Sequence, residues 1–304
     1  MIKCLLDNAG SYIQYQLSSS QVLLGITPTI IAVLGTSTEE VCFVALIGRR
    51  RLLGLLLAAA SPSIYTERAF KYQNPDEILK ERLIAQQVNS TKVNRRWFFV
   101  LLEYVLVLAA ITNVGTLNWQ LGVRSVNTVN PNTVYMPMIW SVLGVITHVM
   151  GAVVFHMRVR PLDKSGQCIR RSTVVSLLKA MVSPSKWPTI SGIYHASKRM
   201  AYREFDSQPK DEEGKKLQYS IIPESRCFTF LAWFLSVFII FHIILGTYIL
   251  SSTNFIGPKD ALGVLARYIL SVFICRVIVV YELAVQRVDT KFETSSNYEG
   301  FRDS

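Results

Sequence analysis

The sequence predicts an all-α fold: a polytopic transmembrane helix bundle of about five spans, with short amphipathic helices in its cytoplasmic loops. Three observations predict it. Half of the 304 residues are hydrophobic and only 17% are charged, against roughly 25% in ordinary soluble domains. The charges are clustered: residues 8–38, 125–157 and 227–258 contain no Lys, Arg, Asp or Glu, and residues 97–123 contain only Glu103. The basic residues, finally, concentrate on one of the two sides that such spans would define.

A tract of about 20 apolar residues crosses a bilayer as a helix, because hydrocarbon satisfies no backbone polar group. Four strong spans follow, at about 97–117, 138–157, 227–250 and 261–284. A fifth, weaker one is "QVLLGITPTIIAVLGTS" at 21–37, where Pro28 predicts a kink or a re-entrant turn. Cytoplasmic loops carry the excess of Lys and Arg. Residues 49–96 hold ten and 158–226 hold fourteen, whereas 118–137 and 251–260 hold one each, Arg124 and Lys259. The two basic loops and the tail are therefore expected in the cytoplasm, and the N-terminus outside.

The chain divides accordingly. Residues 1–60 form an N-terminal span and an interfacial helix, 61–96 a basic cytoplasmic loop and 97–157 a transmembrane hairpin. Residues 158–226 are a second basic loop, 227–284 a second transmembrane hairpin and 285–304 a cytoplasmic tail. Within the first segment, Ser37-x-x-Glu40 has the form of a capping box, which predicts a helix start. Arg49, Arg50 and Arg51 then interrupt the apolar run. Three arginines in mid-bilayer are costly, so an interfacial helix or a helical hairpin on the cytoplasmic surface is expected here. Short helices are also expected in "NPDEILKERLIAQQVN", "STVVSLLKAMVS" and "ISGIYHASKRMAYREF". The Asn89 sequon, on the cytoplasmic side, is expected to stay unglycosylated.

The net charge of +11 does not point to nucleic acid, since the positives flank membrane spans. Their expected partners are the lipid bilayer and anionic lipid at the basic loops, with 158–226 as the contact for a protein partner. Five scattered cysteines imply no disulfide framework. No cofactor or metal is expected: there is no phosphate-binding glycine loop, nucleophile elbow or acidic magnesium motif. The four histidines, His148, His156, His195 and His242, include no pair at metal-ligand spacing. Tyr194-x-x-x-Lys198 copies the catalytic spacing of short-chain dehydrogenases, but no glycine-rich nucleotide turn precedes it. It reads as a helical pair.

Ionisable residues inside spans are the remaining candidates. Glu103 lies about 9 Å inside its span and Arg276 roughly 12 Å inside its own, at 1.5 Å per residue. His148 lies at a similar depth, on one face with Gly144 and Gly151, where small residues mark close packing. An intramembrane polar cluster of Glu103, His148 and Arg276 is expected, with Glu103 and Arg276 as an ion pair. Arg267 points the opposite way from Arg276 and is expected to meet Asn113 or His242 in the outer half, or to snorkel outward. Glu282 is expected to be solvated near the interface. Trp97, Trp119 and Trp140 fall at span ends, as membrane anchors do.

"QVLLGITPTIIAVLG" followed by "SPSIY" resembles the N-terminal region of a group of multi-span membrane proteins from filamentous fungi, over residues 15–75. Some of these are similar to accessory proteins encoded beside specialised-metabolite pathways. The resemblance implies a membrane location and such a pathway, and carries no site residue. Three functions fit the sequence. The first is a non-catalytic accessory or scaffold component of such a pathway. The second is a small-molecule transporter or channel subunit using the polar cluster. The third is a membrane-embedded cyclase or isomerase with Glu103 as general acid.

Overall fold

The computed structural model describes residues 10–48, 50–62, 64, 96–128, 132–161, 218–221, 224–289 and 291–294. Five of its helices are long and apolar enough to cross a membrane. They are α1 (Ser11–Leu34), α4 (Arg96–Arg124), α5 (Met136–Arg158), α6 (Arg226–Ser251) and α7 (Pro258–Asp289). Between α1 and α4 lie α2 (Thr38–Cys42), a π-helical turn over Phe43–Ile47, and α3 (Arg51–Ala60). The bundle turns large apolar side chains outward, among them Phe230, Trp233, Phe241 and Ile244 on α6 and Leu262, Leu270, Phe273 and Val277 on α7. An apolar circumference of this extent is what hydrocarbon, rather than water, accommodates.

Two small sheets mark the ends of the bundle, an addition to the expected all-α fold. At one end, β1 (Val126–Asn127) pairs antiparallel with β4 (Thr253–Asn254), tying the α4–α5 and α6–α7 connections together. At the other, β3 (Gln218–Ile221) lies between β2 (Val159–Pro161) and β5 (Lys291–Thr294), antiparallel to the first and parallel to the second. The expected loop helices, Tyr194, Lys198 and Asn89 lie outside the described residues.

The first long helix does not run through the bundle unbroken. Gln21 on α1 is hydrogen-bonded to Asn254, and Gly25 abuts Ser251, so this part of α1 stands at the β1–β4 end. Gly35, fourteen residues on and about 21 Å down the axis, accepts from Arg276 Nη1 at 3.3 Å. There the helix stops. Gly35 and Ser37 are extended, and α2 restarts under a complete capping box: Ser37 Oγ accepts from Glu40 N–H at 3.1 Å, and the Glu40 carboxylate accepts from Ser37 N–H at 3.1 Å.

The chain then turns back. At its tip Arg50 reaches Glu103, seven residues into α4 and about 10 Å along the axis from its start. From there α3 climbs until the Pro62 carbonyl faces Gly144, fourteen residues and about 21 Å from the end of α5. Residues 35–62 thus form a helical hairpin that enters the bundle. Its apolar residues Phe43, Val44, Ile47, Leu53 and Leu57 are fully buried against Val107, Phe155, Cys275 and Val279 of α4, α5 and α7. A Cβ at Gly151 would stand 2.7 Å from the Thr38 Cβ, and one at Gly144 only 3.1 Å from the Pro62 carbonyl oxygen. The glycine face of α5 is the groove that receives the hairpin. The expected hairpin on the cytoplasmic surface is therefore corrected: it penetrates the bundle, with Leu52 and Leu55 of α3 outward.

Candidate functional site

The hairpin brings two charged groups into the interior, and both change the expected pairing. Arg50 is 1% exposed. Its Nη1 donates to Glu103 Oε2 at 2.5 Å and also to Glu282 Oε1. Both carboxylate residues are only 5% exposed, so Glu282 is a buried partner and not the solvated residue expected. The Tyr104 ring lies over the guanidinium, 5.6 Å from its carbon. A guanidinium tolerates such a position because it is weakly hydrated and stacks on aromatic faces.

Arg276 belongs to the break. Its Nη1 donates to Glu40 Oε2 at 2.5 Å as well as to the Gly35 carbonyl. One cation thereby holds the last carbonyl before the break and the capping carboxylate after it. Irregular backbone at such depth persists only where other groups satisfy it, and Arg276 and Glu40 do so here. The expected Glu103–Arg276 pair does not form, because the inserted hairpin supplies a nearer partner to each. A double-mutant cycle separates the two arrangements. Glu40→Gln and Arg276→Met should be coupled by about 0.5–3 kcal/mol, and Glu103→Gln and Arg276→Met should be additive within about 0.5 kcal/mol, read from thermal unfolding of the purified protein.

His148 does not join either ion cluster. Its carbonyl accepts from the Cys42 thiol at 3.9 Å. Its ring is 3% exposed, and both ring nitrogens lack a hydrogen-bond partner among the described residues. The three residues expected to cluster are thus distributed over three settings: Glu103 at the hairpin tip, Arg276 at the break and His148 beside α2.

The half of the bundle nearer the β1–β4 end is closed by a second network. Trp140 is fully buried, which corrects its expected place at the membrane interface. Its Nε1 donates to the His242 carbonyl at 3.2 Å, and His242 Nε2 donates back to the Trp140 carbonyl at 2.9 Å. The two rings stack with centroids 5.6 Å apart, and Tyr268 meets the indole edge-on at 5.9 Å. Tyr268 Oη donates to Asn118 Oδ1 at 2.5 Å, and Asn118 Nδ2 donates to Ser141 Oγ at 2.7 Å. Trp119, by contrast, is half exposed.

Arg267 meets Asn113, one of its two expected partners, while His242 is taken by Trp140. Arg267 Nε donates to Asn113 Oδ1 at 2.8 Å, Nη1 to Gln120 Oε1 at 2.7 Å and Nη2 to Thr116 Oγ1 at 2.9 Å. Asn113 Nδ2 donates in turn to Ser271 Oγ at 2.8 Å. Every acceptor of the half-buried Arg267 is a neutral group of α4. Among the described residues no three His, Cys, Asp or Glu side chains are grouped to hold a metal ion.

Sequence reasoning missed Arg50, Glu40 and Glu282 as site residues. The usable signal was the capping box at Ser37 lying within reach of a 21–37 span: a helix that restarts there is a broken crossing. Compared with family models, curated proteins and solved structures, the chain shows no match.

Proposed function

We propose that this is a multi-pass integral membrane protein of transport type, a carrier or channel subunit that moves a small solute across its bilayer. The N-terminus lies outside and the basic loops and C-terminus in the cytoplasm. The observation that carries the proposal is the discontinuous first crossing, whose hairpin holds a charged side chain between two carboxylates inside the bundle. Secondary transporters form their sites from such interrupted helices, and intramembrane ionisable residues mark ion and substrate paths. An accessory role is the second reading, favoured by the Trp140–His242–Tyr268 network, which fills the outer half with tightly packed side chains. On either reading the fungal resemblance suggests a specialised-metabolite pathway. A general-acid role for Glu103 is less well supported, because Oε2 is engaged by Arg50.

The test compares small molecules in cells and medium of the native host with the gene intact, deleted, or carrying Glu103→Gln. Transport predicts a product retained in the deleted cells and missing from the medium. It also predicts that Glu103→Gln protein of normal abundance loses the export or its pH dependence. Export unchanged by Glu103→Gln favours the accessory role. An intermediate that accumulates with no product anywhere would overturn both in favour of a catalysed step.

A further inference from the structure

Charge counting at the hairpin tip leads one step further. Arg50 contributes one positive charge, and Glu103 and Glu282 one negative charge each if both are ionised, so the buried triad carries a surplus of −1. Among the described residues no other cation pairs with either carboxylate. Tyr104, on α4, faces the guanidinium with its ring, and α5 and β2 contribute the apolar Phe155 and Val159 to this region. An uncompensated charge at this depth is among the most expensive features a bundle can contain.

The hydrogen-bond inventory marks the same place. Arg50 Nε and Nη2, both buried, have no partner among the described residues, nor has Glu103 Oε1. The Nε–Nη2 edge of a guanidinium is the fork that suits a carboxylate or phosphate. An oxyanion placed there would deepen the surplus to −2, so the fork argues for a neutral oxygen and not for an anionic ligand. What the triad lacks is one positive charge close to the carboxylates. Two carboxylates sharing one site do not readily ionise together.

We propose that Arg50, Glu103 and Glu282 form a buried binding site for one exchangeable proton, held between the two carboxylates and drawn from solvent. Uptake converts one carboxylate to a carboxylic acid and leaves the other paired with Arg50, so the triad becomes neutral. The hairpin tip is then held by a charge-balanced cluster, and release of the proton restores the repulsion between Glu103 and Glu282. This deepens the transport proposal by naming the coupled ion, and rests on it for that role. The site itself can be tested separately.

The test is infrared spectroscopy of the purified full-length protein in lipid nanodiscs at pH 7, in potassium buffer. The wild type should show the carbonyl stretch of a protonated carboxylic acid. Glu103→Gln and Glu282→Gln should each abolish that band, because the remaining carboxylate is matched by Arg50. Each single variant should also keep the thermal midpoint of the wild type within a few degrees, whereas the double variant, with Arg50 unpaired, should lose its folding transition. A wild type without the band, or a band that survives both single substitutions, overturns the proposal. A proton site present in a protein that shows no export leaves the proton assignment standing and removes only the transport role.

Discussion

Arg50→Met is expected to abolish accumulation of the folded protein. The substitution preserves most of the aliphatic volume but leaves Glu103 and Glu282 facing each other, 5% exposed each, with no cation between them. Removing one partner of a buried ion pair typically costs about 3–5 kcal/mol, a large fraction of the roughly 5–15 kcal/mol that keeps a typical domain folded. The cause is electrostatic, so it is reversible by charge. Arg50→Met combined with Glu103→Gln and Glu282→Gln should restore much of the protein level, because replacing a whole buried cluster by neutral groups is often tolerated. Arg51→Met, one residue away on an exposed side chain, should leave the protein level near that of the wild type. Quantitative blots of membrane fractions, with fluorescence-detected size exclusion to report folding, measure all three. A soluble-face arginine would behave like Arg51.

Trp140→Ala is the second large effect, acting in the opposite half. The indole is fully buried, stacks on His242, meets Tyr268 and donates one hydrogen bond to the His242 carbonyl on α6. Truncating a buried tryptophan costs about 3–5 kcal/mol. Gly246 provides the check on geometry. A Cβ there would stand 2.6 Å from the indole Cε2, so Gly246→Ala in the wild type forces the ring aside. In the Trp140→Ala background the same methyl enters space the indole has vacated. Gly246→Ala should therefore be destabilising alone and less so, or stabilising, in the double variant. An interfacial Trp140 would show neither the loss nor the change of sign.

The five long apolar helices were legible because an uncharged apolar tract of about 20 residues has few alternatives to a helix. Their ends were displaced by a few residues where polar side chains such as Gln120 and Arg124 extend α4. The break was half legible: Ser37 and Glu40 announced a helix start, and Gly35 before them an end. What the sequence does not display is that Arg276, more than two hundred residues later, closes that break. The three arginines at 49–51 illustrate the same limit. Hydrophobic bookkeeping rejects all three from the interior, whereas the fold admits Arg50. Its entry depends on Glu103 and Glu282 converging from α4 and α7, a tertiary fact. Trp140 was misplaced for a related reason. Its position near a span end suggested an anchor, but the glycine that makes room for it lies on another helix.

The penetrating hairpin is the claim on which the sites depend, and a cross-link tests it most directly. Thr38→Cys and Gly151→Cys are introduced together into a variant lacking the native cysteines, with a protease site inserted between residues 65 and 95. A Cβ at Gly151 stands 2.7 Å from that of Thr38, about an ångström inside the usual disulfide span of about 3.8 Å, so a small outward shift of the hairpin accommodates the bond. After oxidation in native membranes and proteolysis, the two fragments should migrate as one species without reductant and separate with it. Fragments that separate under both conditions, from a protein of normal abundance, would place the 35–62 segment outside the bundle and contradict the buried Arg50 site.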